Sequence, residues 1–408
     1  MMTYALEWAA LLGRWLHLIA GIAWIGSSFY FIWLDNHLEP PKSAQDRDDG
    51  VGGELWAVHG GGFYQSKKFA GAPPAMPETL HWFKWEAYTT WFSGLFLLAL
   101  VYWVGAEVYL IDANVAALSQ PAAVGIGIAY LVGGWIVYDG LCRSPLAKQP
   151  AVLSALLCVL LVGAAWSLCQ LFSGRGAYIH YGALIGTIMV ANVLMVIIPG
   201  QRRMVAAITA GTPINPADGL RGKQRSVHNT YLTLPVLFVM ISNHYPMTFA
   251  HTWNWLLLIG MTVAGALIRV YFVARHKGAA SPVPLIAAGL VLAAVAAASL
   301  PRTADDSPTT GAADLSAYGT GFQAVIGVIE TRCAGCHAAV PTYPGFLSAP
   351  GGVMLDSADA VLRHADSIYQ QSVASQAMPI GNLTNITDTE RQLLGAWYAA
   401  GASADWRR

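Results

Sequence analysis

The chain has 408 residues, of which 55% are hydrophobic and only 11% are charged. Globular soluble domains carry about a quarter charged residues, so most of this chain is not expected to be soluble. Lys and Arg (23) balance Asp and Glu (23), and this zero net charge gives no indication of a nucleic-acid partner.

Long apolar runs dominate residues 1–300. A membrane-crossing helix needs about 20 residues, and eight runs reach or approach that length. The predicted spans are residues 7–34, 80–105, 121–141, 150–172, 179–199, 229–248, 252–274 and 283–300. The sixth is interrupted by Pro235 and Asn243, and the eighth is barely long enough. The pattern predicts an all-α fold, a polytopic transmembrane helix bundle of about eight spans.

The positive charges predict the orientation of this bundle. If the N-terminus lies outside, Lys and Arg collect in the loops after the first, third, fifth and seventh spans. The short outside loops between spans then contain only Arg175. Cytoplasmic loops carry the excess of Lys and Arg. We therefore expect a bacterial inner-membrane protein whose N-terminus and C-terminal region are periplasmic.

Polar side chains inside spans are costly in lipid and suggest function. His17, His180 and His244 fall near the same outer end of three different spans. A b-type haem held by two of them would relay electrons towards the periplasm. The alternative is that they lie at the headgroup level or hydrogen-bond across helices. Asn192, in the middle of the fifth span, is expected to hydrogen-bond a neighbouring helix.

The connection between the first two spans, residues 35–79, is long, and long ordered loops usually have a function. It contains WAVHGGGFY at 56–64. Three glycines after His59 would let the backbone approach a flat ligand and direct N–H groups at it. The alternative is a flexible amphipathic loop on the lipid surface.

The second span begins with HWFKWEAY at 81–88. At helical spacing, His81 and Lys84 share one face. Glu86 lies within the apolar run, where a carboxylate needs a partner, and Arg269 on the seventh span is a candidate at similar depth. Such a pair would be either structural or functional.

The run CAGCH at 333–337 is the most specific motif of the chain. Its spacing lets Cys333 and Cys336 bond the two vinyl groups of one haem c, while His337 takes an axial iron position. Met378 is expected to be the sixth iron ligand. The alternative is two unlinked cysteines beside a surface histidine.

The residues around this motif predict a class I cytochrome c domain. A helix is expected over 318–332, and Thr387 with Glu390 forms a capping box that opens a second helix. We divide the chain into a membrane domain (1–300), a polar linker (301–314) and a periplasmic cytochrome c domain (315–408).

Several longer stretches carry a family resemblance: AVHGGGFY at 57–64, LHWFKWEAYTTW at 80–91, IHYGALIGTIMVANV at 179–193, HNTYLTLPVLFVMISNHYP at 228–246, GGVMLDS at 351–357 and AMPIGN at 377–382. With them the chain resembles the bacterial membrane-bound urate oxidases (urate hydroxylases) that end in a cytochrome c domain. The resemblance implies that urate is hydroxylated at C5 to 5-hydroxyisourate with oxygen from water. It also implies that electrons pass through haem c to a periplasmic cytochrome c or a terminal oxidase.

The residue roles are inferred from chemistry, because the resemblance carries no catalytic assignment. Urate is a flat monoanion that calls for cations, aromatic stacking and a general base. The expected catalytic residues are Glu86, His81 and His59. The expected substrate-binding residues are Tyr64, Lys84, Trp85, Arg202, Arg225 and His228. These residues belong to the side of the bundle predicted to face the cytoplasm, and electrons from such an inner-face site must cross about 30 Å of hydrocarbon. An outer-face site around His180, Asn243, His244 and His251 would not require this crossing.

Two other functions remain open. The first is a respiratory protein in which quinol donates electrons to the cytochrome, although such bundles usually hold paired histidines. The second is a purine carrier with an attached cytochrome sensor, for which internal repeats would be expected.

Overall fold

Helices form nearly all the regular structure in a computed structural model that describes residues 2–276, 278–279, 281–300, 321–344, 346 and 349–407. The linker predicted at 301–314 and the start of the helix predicted at 318–332 lie outside these residues. The helices before the linker are α1 (Met2–Asn36), α2 (Ala44–Asp48), α3 (Trp85–Leu97), α4 (Ala106–Tyr109), α5 (Gln120–Arg143), α6 (Pro150–Leu171), α7 (Gly174–Ala191), α8 (Ile198–Thr209), α9 (Pro216–Ser242), α10 (Pro246–Phe249), α11 (Asn254–His276) and α12 (Val283–Ala298). After it come α13 (Phe322–Arg332), α14 (Ala358–Arg363), α15 (Ala365–Ile368) and α16 (Asp388–Ala399).

Five helices in the described part of the chain are long and apolar enough to cross a membrane. They are Ala5–Asn36, Gln120–Arg143, Pro150–Leu171, Gly174–Thr209 and Asn254–His276. The other three predicted spans are helical but weaker candidates. The α-helical part of α3 has 13 residues, α12 has 16 residues, and the first half of α9 is polar. A membrane-spanning helical bundle is supported, and the number of eight spans stays a prediction.

The helix formed by α7 and α8 lies at the centre of the bundle. A π-helical segment, Asn192–Ile197, joins the two without a break. In the most apolar 18-residue window of this helix 67% of the residues are buried, against 33% or less in the other four candidate spans. It packs against α5, α6 and α9. Its central position brings His180 and Asn192 into the interior.

The long connection between α1 and α3 contains an antiparallel hairpin of β1 (Val51–His59) and β2 (Gly62–Phe69). Gly60 and Gly61 form its two-residue turn at φ values of 58° and 81°. Both residues of such a turn need positive φ, which glycine adopts at little cost. The glycines therefore make a turn, and the predicted contact of their backbone with a flat ligand stays a prediction. The hairpin also adds a small sheet to a fold predicted to be all-α.

The C-terminal residues have a hydrophobic core of their own. Phe322 of α13 and Trp397 of α16 stack with ring centroids 5.8 Å apart. The predicted capping box at the start of α16 is confirmed, because Thr387 and Glu390 each accept a hydrogen bond from the other's backbone N–H. Glu390 also pairs with Arg332 at 3.0 Å. This pair ties the residue before the C-x-x-C-H run to α16.

The C-terminal unit contacts the bundle at α4. The short 3₁₀ segment Ile380–Asn382, which follows Met378 closely, packs against Ala106–Tyr109. A methyl group on Gly381 would lie 3.2 Å from the carbonyl oxygen of Ile111. The residues that follow the predicted iron ligand Met378 thus lie beside the bundle.

Close packing of α7 on α9 depends on Gly182. A methyl group there would lie 2.5 Å from Cγ1 of Val239, which is fully buried and stiff at χ1. Gly186, one turn along α7, has no heavy atom within 4 Å of such a methyl group. We expect Gly182→Ala to lower the free energy of unfolding by about 1–3 kcal/mol.

Gly186→Ala is the matched control for this prediction. It should leave stability unchanged or raise it by up to about 1 kcal/mol, because alanine is the better helix former. Thermal unfolding of both purified variants in the same detergent measures the difference. Equal midpoints would contradict the close approach of α7 to α9.

Candidate functional site

A network of buried polar side chains joins α5, α9 and the segment after α7. Nδ2 of Asn192 donates to the hydroxyl oxygen of Tyr138 at 3.0 Å and to Oδ1 of Asn229 at 2.9 Å. The Tyr138 hydroxyl lies 2.8 Å from Nδ1 of His228. The Tyr138 hydroxyl therefore links Asn192 to His228. The prediction that Asn192 bonds neighbouring helices is confirmed.

Arg225 forms the charged end of this network. Its Nη2 donates to Oδ1 of Asp139 at 2.7 Å, and its Nη1 donates to Oδ1 of Asn192 at 3.3 Å. Oδ2 of Asp139 accepts from Arg143 at 2.6 Å. Arg225 is only 2% exposed. Its charge is neutralised within the protein, so its contacts join α9 to α5 and do not leave it free for substrate.

The other predicted inner-face residues lie on different elements of the structure. His59 and Tyr64 are exposed on the hairpin, and Arg202 is exposed on α8. The exposed His81 and Trp85 lie at the start of α3.

The predicted helical face shared by His81 and Lys84 is not formed. The helix begins only at Trp85, because Lys84 has the non-helical angles φ −132° and ψ −35°. Nζ of Lys84 lies 5.4 Å from the centre of the Trp85 ring. These residues form an aromatic and basic surface at the start of α3.

The predicted pairing of Glu86 with Arg269 is wrong. Oε2 of Glu86 and both Nε and Nη2 of Arg269 are buried without a hydrogen-bond partner. Arg269 packs instead over the ring of Phe29, 4.1 Å from its centre. It also lines a cavity between α1 and α11. Packing against α1 therefore decides the position of this guanidinium.

His17, His180 and His244, the predicted haem b ligands, differ in their surroundings. His17 packs against α3, where its Nδ1 lies 2.9 Å from a backbone oxygen. His180 is fully buried, with Nδ1 2.9 Å from the carbonyl oxygen of Gly176 and Nε2 3.2 Å from the indole N–H of Trp103. His244 is exposed. Both ring nitrogens of His180 have partners within the protein, and a haem b in the bundle stays a prediction.

The C-terminal unit has a donor set that fits a covalently bound haem. Cys333 and Cys336 are free thiols, and the N–H groups of Cys336 and His337 both donate to the carbonyl oxygen of Cys333. Nδ1 of His337 lies 2.9 Å from the carbonyl oxygen of Val353. This bond makes Nδ1 the protonated nitrogen and leaves Nε2 for iron. Burial raises the pKa of Cys333 to about 12 and also raises the pKa of Cys336.

Met378, the predicted sixth ligand, is held through its backbone. Its N–H donates to the carbonyl oxygen of Gln371 at 2.9 Å, and its carbonyl oxygen accepts from Nη1 of Arg391 at 2.9 Å. No cluster of three or more His, Cys, Asp or Glu side chains suited to a metal ion occurs among the described residues. A haem iron needs only two protein ligands, so His337 and Met378 would suffice.

Two members of the buried network were missed from the sequence. Asp139 stands four residues before Arg143, which is ion-pair spacing on a helix and was a usable signal. Tyr138 gave no such signal, because an aromatic residue near the end of a span more often belongs to the interfacial belt.

The comparison with known proteins identifies the membrane part of the chain. A family model described as Urate oxidase N-terminal matches residues 3–300, so the chain belongs to this family. No curated protein and no solved structure matches. The resemblance inferred from the sequence is thereby confirmed for residues 3–300, and the match does not extend to the C-x-x-C-H unit.

The Arg225–Asp139 pair provides a test of the buried network. Arg225→Met leaves Asp139 without its buried partner, and Asp139→Leu leaves a buried guanidinium uncompensated. We expect each change to lower stability by about 3–5 kcal/mol. The double variant should lose less than either single variant, because it leaves no buried unpaired charge. Arg143 also loses Asp139 as a partner, but it is exposed to solvent. Thermal unfolding of the four proteins measures the coupling, and strictly additive losses would argue against it.

Proposed function

We propose that the membrane domain of this urate oxidase family member oxidises urate and that its C-terminal unit carries the electrons away through haem c. The observation that carries the proposal is the family match over residues 3–300 in the same chain as a C-x-x-C-H run. An oxidoreductase joined to an electron-carrier motif has its acceptor in the same polypeptide.

The proposed reaction adds the elements of water to urate and removes two electrons. A bond forms between C5 of urate and the water oxygen, and the product is 5-hydroxyisourate. Two protons and two electrons are released, so hydrogen peroxide is not a product. The proposed final acceptor is a periplasmic cytochrome c or a terminal oxidase.

Residues of the C-terminal unit would hold the haem. Cys333 and Cys336 would attach it through thioether bonds, and His337 and Met378 would bind its iron. When bound, the haem supplies a one-electron acceptor. The Val353 carbonyl oxygen fixes the imidazole of His337. The contact of Ile380–Asn382 with α4 keeps this centre close to the bundle.

Glu86 is the proposed proton acceptor. A general base must hold a free carboxylate oxygen or ring nitrogen near the substrate, and Oε2 of Glu86 is buried and unpartnered. His81 and His59 are exposed and would exchange protons with water. Lys84 and Arg202 would attract the urate anion to this end of the bundle.

The proposed location is the inner membrane of a bacterium, with the N-terminus and the C-terminal unit in the periplasm. Five candidate spans and the distribution of Lys and Arg between loops support it. Haem attachment to C-x-x-C-H in the periplasm agrees with this orientation.

Urate should reduce the haem of the purified full-length protein. Added without oxygen to the oxidised protein, urate is expected to produce the reduced α and β bands of haem c. Each urate releases two electrons, so it should reduce two haems. Ubiquinol is tested in parallel. A haem that ubiquinol reduces and urate leaves oxidised would contradict the proposal and favour a quinol-linked respiratory protein.

Loss of either attachment thiol should remove covalent haem. We expect Cys333→Ala and Cys336→Ala to lose the haem that survives denaturing electrophoresis. Cys158→Ala, which changes an exposed cysteine of α6, should retain it. Pyridine haemochrome spectra quantify the c-type and b-type haem in each variant. Equal covalent haem in all three would exclude the C-x-x-C-H attachment.

A further inference from the structure

Two buried arginines of the bundle differ in their partners. Arg225 is compensated by Asp139 at 2.7 Å. Arg269 is 6% exposed, yet its Nε and Nη2 have no hydrogen-bond partner. Buried N–H groups without acceptors are unfavourable, so a ligand that accepts hydrogen bonds from them would be stabilised at this position.

The two unpartnered nitrogens of Arg269 lie on one edge of the guanidinium. The same edge binds carboxylates elsewhere in this chain. Arg203 uses Nε and Nη2 on the two oxygens of Asp218. Arg332 uses the same two nitrogens on Glu390. The free edge of Arg269 is therefore suited to an anion that presents two neighbouring acceptor atoms.

Arg269 also lines a cavity of about 310 Å³, together with Phe29, Ile32, Trp33, Phe272 and His276. Ligand pockets of small molecules begin at about 300 Å³ and are mainly apolar with a few polar groups. Three of the six lining side chains are flat and hydrophobic aromatic rings. They provide surfaces for a planar ring, whereas a tetrahedral phosphate needs no such walls.

We propose that this cavity between α1 and α11 binds the planar urate anion and that Arg269 holds it through Nε and Nη2. The inference rests on the proposed function and adds a binding site to it. Urate carries its negative charge over neighbouring nitrogen and oxygen atoms of a flat ring, which matches the free edge and the aromatic walls. Arg269 lies two turns before the end of α11 at His276. The site thus belongs to the end predicted to face the cytoplasm.

Binding and turnover measured separately on the full-length protein test this site. Anaerobic equilibrium dialysis of urate against pre-reduced protein measures affinity without oxidation. We expect Arg269→Met to weaken urate binding by about 10- to 100-fold, because the charge-assisted hydrogen bonds to urate are lost. KM for urate-dependent haem reduction should rise in parallel. The urate affinity of Arg269→Lys should lie between those of Arg269→Met and the original protein, because lysine keeps the charge but lacks the two-nitrogen edge.

Two further variants separate binding from folding. Phe272→Trp fills the cavity and leaves Arg269 intact, so it should also weaken urate binding while haem content and thermal unfolding stay normal. Arg275→Met removes an exposed arginine of α11 that does not line the cavity. It should keep urate affinity within twofold of the original protein.

The outcomes distinguish this site from the proposed function. If urate reduces the original protein and Arg269→Met with equal KM, the site is wrong and the function stands. If urate neither binds nor reduces the original protein, both the binding site and the proposed function are wrong. Anionic phospholipid is tested as the other source of an anion, with phosphatidylglycerol vesicles and inorganic phosphate as competitors. Loss of phosphatidylglycerol binding in Arg269→Met with unchanged urate affinity would assign the cavity to lipid and overturn the inference.

Discussion

Hydrocarbon offers no hydrogen bonds, so each polar group inside a membrane bundle needs a partner in the protein or in a ligand. The contacts between α5, α7 and α9 follow from this constraint. Asn192, Tyr138 and His228 satisfy one another, and Arg225 is neutralised by Asp139. These bonds fix the relative positions of the three helices. Apolar packing alone would let the helices slide past one another. The central helix can then be apolar on nearly all its faces.

Because of the same constraint, polar groups in the bundle that lack partners are informative about function. Glu86 and Arg269 belong to the same half of the bundle but do not pair. A carboxylate oxygen and a guanidinium edge therefore lie in the bundle without hydrogen-bond partners. The proposed substrate binding and proton transfer use these groups, which the helical scaffold holds without pairing them.

The C-terminal unit solves a different problem, which is to hold an attachment motif rigid on a small core. Arg332 links α13 to the capping box of α16 through Glu390. Arg391 of the same helix binds the carbonyl oxygen of Met378. One short helix thus positions both sides of the predicted haem site. The contact of Gly381 with the loop after α4 joins this site to the membrane body.

Much was predictable from local signals. Apolar run lengths indicated the helices, the spacing of Thr387 and Glu390 indicated the capping box, and a mid-span amide indicated an interhelical bond at Asn192. These features depend on residues near in sequence or on the properties of lipid. The start of α3, the turn at Gly60 and the partner of Arg269 were not predictable, because each depends on which distant segments meet.

The sequence by itself determined that this protein has an apolar helical domain and a C-x-x-C-H unit, since hydropathy and motif spacing are properties of the chain. Only the tertiary structure decided which arginine is neutralised and which keeps two nitrogens without a hydrogen-bond partner. Arg225 and Arg269 are alike as residues in apolar helices. What separates them is the neighbour that packing supplies, a carboxylate on α5 for one and a phenyl ring on α1 for the other.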